Sequence, residues 1–333
     1  TQPVRTAPRL PRLPQLPAVA LHGIARPSTI RPALQETKKA RPCGGQEVNF
    51  CPHARGRALA VGRTEIIAVL VTEPLSELFS DPTYSEFLSG ITEELSESSY
   101  LPVILQASST HERNRAREHF ERRSFDAVID VSPYKHELLE VLRELGVPTV
   151  LCGQLEGHPY RDVFSTVYSD DEEGGRFAAL AMKERGAKIS SPCWDRKTTP
   201  LLSTACAATA PSWAKSSQRK RIYTGWNSGD GYQAMHQILA RKIAFDGVLC
   251  GSDRIAAGVI TALNEAAYPS GGVSVVGFDD HEIAACCVPA LTTVRQPLRE
   301  EGHMAANIAL DMIKGAEPTT SVMHMQLIQR DSL

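Results

Sequence analysis

No apolar run in this sequence approaches the roughly 18–20 residues needed to cross a bilayer. Its opening, Thr1-Gln-Pro-Val-Arg5, does not lead into the apolar core of a secretion signal. The 8 cysteines form no CxxC pair, and Cys286 and Cys287 are adjacent, so neither a zinc site nor a disulfide framework is expected. Cys152 and Cys250 lie on apolar runs and read as buried thiols, which points to a cytoplasmic compartment. The 10 histidines show neither HExxH nor HxH spacing. There is no GxGxxG, no GxxxxGK followed by Ser or Thr, and no GxSxG elbow. Catalytic residues, metal and cofactor are therefore all expected to be none. The net charge of −2 gives no global basic field, so any DNA contact must come from a local patch.

What is present is a regular α/β grammar. The 333 residues leave room for two or three domains. Ile66–Val71, Leu101–Leu105, Asp126–Val131, Val147–Cys152 and Val163–Tyr168 read as strands. Between them, Tyr84–Leu95, His111–Arg123 and Lys135–Leu145 have helical spacing. Such alternation predicts doubly wound parallel sheets. Ser169-Asp-Asp-Glu-Glu173 then opens a helix whose acidic first turn suits the macrodipole. Near the other end, Val273-Ser-Val-Val-Gly277 has the composition of a strand buried on both faces. Phe278-Asp279-Asp280 follows, which places two carboxylates at a strand's carboxyl edge, where open α/β sheets bind ligands. Leu291–Val294 reads as another strand, and Pro297 as the first residue of the amphipathic run to Ile313.

The phrase VSVVGFDD…PALTTVRQP resembles the C-terminal core of the LacI/GalR family of bacterial transcription repressors. The resemblance implies a two-lobed domain like the periplasmic binding proteins over 64–333. Its first lobe would be 64–165 with 296–323, and its second 166–295 with 324–333. It also implies a helix-turn-helix over 1–50, of which the proline-rich Thr1–Pro17 keeps little. Cys51–Thr64 resembles the family's hinge helix. There Leu59 would wedge into the minor groove, with Arg55, Arg57 and Arg63 on phosphates and His53, also DNA-binding, where the family usually has asparagine. The same residues taken alone would also serve as a basic linker. Ser190–Lys220 has the family's length without its strand, its long helix or its ligand-binding arginine, as either a shifted reading frame or a real divergence would produce.

For the effector pocket the resemblance implies Asp279, Trp226, Ser252, Asp253, Gln296 and Tyr84. A carboxylate at Asp279 accepts from sugar hydroxyls, and an aromatic face at Trp226 packs on the apolar side of a pyranose. The blander alternatives are a turn cap at Asp279 and an ordinary core tryptophan. Asp253 reads as the cap of the helix that follows. The expected partners are operator DNA, a small carbohydrate effector and a second copy in a homodimer, with no membrane. A stand-alone sugar-binding protein is the rival from another class, and an enzyme lacks a catalytic constellation.

Overall fold

Ile66–Val71 (β1), with the sequence IIAVLV, is buried from Ile67 onward and lies inside a six-stranded sheet. The computed structural model describes residues 62–131, 137–153, 160–187, 193–195, 222–242, 245–268 and 272–333. At 193–195 and 222–224 only the backbone is described. All of these belong to the unit Ala58–Leu333. The expected helix-turn-helix, His53, Arg55, Arg57 and Leu59 lie outside the described residues, as does most of 190–220.

After β1 come helices Leu75–Ser80 (α1) and Pro82–Leu95 (α2), strand Leu101–Gln106 (β2) and helix Thr110–Glu121 (α3). Ala127–Asp130 (β3), Glu137–Leu145 (α4), Thr149–Cys152 (β4) and Ser165–Ser169 (β5) complete the run. The second lobe follows with Asp171–Glu184 (α5), Cys193–Asp195 (β6), Ile222–Thr224 (β7) and Ser228–Ala240 (α6). It continues with Gly247–Leu249 (β8), Asp253–Glu265 (α7), Ser274–Asp279 (β9), Glu282–Cys286 (α8) and Thr292–Arg295 (β10). Leu298–Ile313 (α9), Thr320–Met323 (β11) and Gln326–Ile328 (β12) close the chain. The short helices α1 and α8 were not anticipated from periodicity, which five or six residues cannot display.

The first sheet has the order β11-β5-β4-β3-β1-β2 and is parallel throughout. Phe87, Ile91 and Leu95 of α2 join Ala305, Ala306 and Ala309 of α9 on one face. Phe120 of α3 and Leu138, Leu139 and Leu142 of α4 fill the other. The second sheet, β12-β10-β9-β8, is parallel except for the antiparallel edge strand β12. Helices α6 and α7 cover one of its faces and α5 the other. Strands β6 and β7 pair with each other in parallel. The expected lobe boundary at 165/166 needs correction. Strand β5 pairs with β4 and β11 from Ser165 to Ser169, so the chain leaves the first lobe only after Ser169.

Each lobe draws one helix pair together through glycines. A Cβ at Gly90 of α2 would strike the Arg299 carbonyl of α9, and one at Gly302 of α9 would strike the Phe87 carbonyl. In the second lobe, Gly231 of α6 and Gly258 of α7 meet the Ile255 and Ser228 carbonyls in the same way. These contacts hold α2 closely against α9 and α6 closely against α7.

Three segments join the lobes: β5 into α5, β10 into α9, and β11 into β12. Ser169 Oγ donates to Glu301 Oε1 at 2.6 Å, the Asp170 N–H to the Met323 carbonyl at 2.9 Å, and the Met325 N–H to Glu173 Oε2 at 3.0 Å. The crossings therefore form one hydrogen-bonded bundle.

Candidate functional site

Helix α2 starts at Asp81, whose side chain accepts from the Thr83 N–H at 3.0 Å. The other oxygen of that carboxylate receives the guanidinium of Arg254, from the first turn of α7 in the opposite lobe. Next to this pair, Thr83 Oγ1 lies 3.2 Å from His281 Nε2, a second bridge between the lobes. His281 Nδ1 stands 3.9 Å from Asp279 Oδ2, and Gln296 Nε2 donates to Asp279 Oδ1 at 2.5 Å. One polar chain thus crosses the cleft, from Arg254 through Asp81, Thr83 and His281 to Asp279 and Gln296.

Local backbone geometry holds the acidic turn in this place. Asp279 and Asp280 take positive φ values of 100° and 61°, a region that few side chains tolerate but that Asp and Asn enter most readily. The two neighbours then do different work. Asp280 is gripped by Arg295 Nε at 2.7 Å and Arg330 Nη2 at 2.6 Å, which ties the turn to β10 and the C-terminal segment. Asp279 faces the cleft.

Burial pushes the Asp279 carboxyl up to about 6, with neighbouring Asp81 adding to the rise and His281, Gln296 and Arg254 opposing it. His281 turns Nε2 to Thr83 and Nδ1 to the Asp279 carboxylate, so a proton on Nδ1 is the arrangement that faces that oxygen. Asp253 is pushed up to about 8, by burial first and then by the Asp279 charge. Glu301, buried at the crossing, is raised by its burial to about 7.

Asp253 is not the helix cap. It is fully buried, accepting from Thr293 Oγ1 at 2.5 Å and from the His281 N–H at 2.8 Å, so it staples α7 to β10 and the acidic turn. Ser252 caps α7 instead, accepting from the Ile255 N–H at 3.2 Å. Both side chains are occupied inside the second lobe, which differs from the ligand-facing places expected for them. Trp226 is half-buried against the α6–α7 core. Tyr84 is half-buried in the first turn of α2, next to Thr83. Arg63 donates to the Ile313 carbonyl at 3.3 Å, holding the start of the domain to the end of α9. The structure thus unites Asp279 and Gln296 of the expected residues and adds Asp81, Thr83, Arg254 and His281. One signal for Arg254 was available: a cation in a helix's first turn opposes the macrodipole and needs a partner.

Comparison with known proteins fits this arrangement. Residues 190–333 match the periplasmic binding protein-like domain. The chain is 28% identical over 312 residues to the HTH-type transcriptional regulator CelR of Thermobifida fusca, covering 91% of this chain and 90% of that protein. It is 28% identical over 310 residues to the HTH-type transcriptional repressor PurR of Escherichia fergusonii, covering 90% and 89%. The structure of the CelR–cellobiose complex superposes with a TM-score of 0.74 at 26% identity, over 93% of this chain and 92% of that one. Over about nine-tenths of its length the chain is similar to transcriptional regulators of the LacI type. The lac repressor dimer bound to operator and an anti-inducer shares the fold, with a TM-score of 0.70 at 18% identity, over 85% of this chain and 99% of that one. In this fold the polar chain spans the space between the two lobes.

Proposed function

We propose that this protein is a transcriptional repressor whose grip on operator DNA is set by a small neutral carbohydrate held between the lobes. The observation that carries this reading is the cross-lobe cluster of Asp279, His281, Arg254, Asp81 and Thr83, set beside the three crossing segments. A ligand that engages both walls changes the angle between lobes joined at such a hinge. That couples the cleft to whatever is attached ahead of residue 62. Alternating donors and acceptors suit hydroxyl groups, each of which donates and accepts. With Asp253 largely protonated, the charges of Asp81 and Asp279 exceed that of Arg254, which disfavours an anionic ligand.

His53, Arg55, Arg57, Leu59 and Arg63 are proposed as the DNA contacts, working in pairs from two subunits in the cytoplasm. Edge strand β2 exposes Leu101, Val103 and Ile104 beside Phe79 of α1, which is 78% exposed. An apolar, unpaired strand edge of this kind calls for a cover, and a second copy of the chain supplies it. The test is a gel-shift titration of the dimer on operator DNA, with a random duplex as competitor and neutral sugars added in turn. Competitor-resistant binding that a sugar changes supports the reading. A chain that binds a sugar yet never holds DNA would be a stand-alone binding protein instead.

A further inference from the structure

Two buried polar atoms in the cleft have no hydrogen-bond partner: Arg254 Nε and His281 Nδ1. The side chains that carry them are 11% and 4% exposed. An unpartnered buried donor is costly, and native structures rarely keep one without a purpose. The rest of each side chain is engaged across the cleft, Arg254 with Asp81 and His281 with Thr83. Neither donor can therefore swing away to find solvent while the lobes face each other. The 3.9 Å between His281 Nδ1 and Asp279 Oδ2 is too long for a direct hydrogen bond. A small opening of this gap would admit one bridging oxygen, which accepts from the imidazole and donates to the carboxylate.

We propose that Arg254 and His281 are effector-contacting residues, Arg254 Nε–H and His281 Nδ1–H each donating to an oxygen of a neutral polyol. Asp81 is the positioning residue that holds the guanidinium in place. The proposal rests on the carbohydrate reading above and deepens it. It needs no group from residues 196–221. It separates two roles of Arg254: the ion pair with Asp81, which any cation can make, and the Nε–H bond, which only arginine offers.

Arg254→Lys divides these roles, because lysine keeps the charge and has no second, fixed donor. The full chain and this variant are titrated by calorimetry with a panel of neutral mono- and disaccharides including cellobiose and ribose. Glucuronate serves as the anionic counterpart. Arg254→Lys should bind the selected sugar about tenfold more weakly at an unchanged melting temperature, as the loss of one charge-assisted hydrogen bond requires. Asp81→Asn, which keeps the helix cap, should weaken binding by under about threefold. The arginine Nε–H resonance of Arg254 in the ¹⁵N-labelled wild-type protein gives a readout that needs no folded variant, and it should shift on saturation. Equal affinity in Arg254→Lys with an unmoved resonance overturns the proposal and leaves the carbohydrate reading standing. If no neutral sugar binds the wild-type chain, the carbohydrate reading fails and this proposal with it. Tighter binding of glucuronate than of any neutral sugar overturns the neutral-polyol assignment.

Discussion

The two lobes are built alike and contribute unequally. Each is a mainly parallel sheet between helices, and each draws one helix pair together through glycines that admit no Cβ. Among the described residues, the first lobe reaches the cleft contacts through Asp81 and Thr83 at the start of α2. The second supplies a strained acidic turn, a histidine and an arginine, braced from behind by Asp253 and by the arginines on Asp280. The second lobe therefore supplies most of the described side chains in the polar chain between the lobes. The two positive-φ residues, Asp279 and Asp280, sit where this bracing is densest.

The largest effect should come from the bracing. Asp280→Ala removes the carboxylate that Arg330 and Arg295 share, leaving Arg330 only the Leu291 carbonyl. It should cost about 3 kcal/mol of second-lobe stability in urea unfolding, with Arg295 contributing less because it is half-exposed. A cost below about 1 kcal/mol would mean that the turn holds itself. Next come the glycine contacts. Gly302→Ala and Gly258→Ala should each cost roughly 1–3 kcal/mol by overpacking, the first in the first lobe and the second in the other. Hydrogen exchange resolves which lobe loosens, and an equal loss in both would show that the lobes do not unfold separately.

A smaller effect is expected at the crossing. The folded Glu301 carboxyl titrates at about 7, above its unfolded value of 4.5. A raised folded pKa stabilises below the unfolded value, and that stability is lost as pH rises through the folded one. Unfolding free energy should therefore fall between pH 5 and 8, by on the order of 1 kcal/mol or more. Glu301→Gln, which keeps an acceptor for Ser169, should flatten that slope. An unchanged slope would place the titration elsewhere, with Asp171, Asp253 and Asp279 as the remaining raised carboxyls.

Much of this was legible in the sequence, for identifiable reasons. Strands such as IIAVLV announce themselves by β-branched runs, and the acidic turn by its place at the end of one, so Asp279 and the doubly wound architecture could be read directly. The rest depended on contacts that no local pattern encodes. Asp81 and Arg254 are 173 positions apart, and Thr83 and His281 are 198 apart. Ser252 and Asp253 are both good cap residues, and propensity cannot rank them. The choice is made by Thr293 and His281, which reach the Asp253 carboxylate from β10 and from the turn after β9. The lobe boundary was misplaced because β5 gives no sign of which sheet it joins until its partner β11 arrives near the chain's end.

The central claim is that the second lobe's acidic turn recognises the effector, and Asp279→Ala tests it most directly. The neutral sugar that binds the wild-type dimer most tightly is titrated calorimetrically into both proteins. Loss of a charge-assisted hydrogen-bond pair should weaken binding at least about tenfold, while the melting temperature changes little. Equal affinity in the two proteins would contradict the account and reduce Asp279 to the residue that turns the chain at the end of β9.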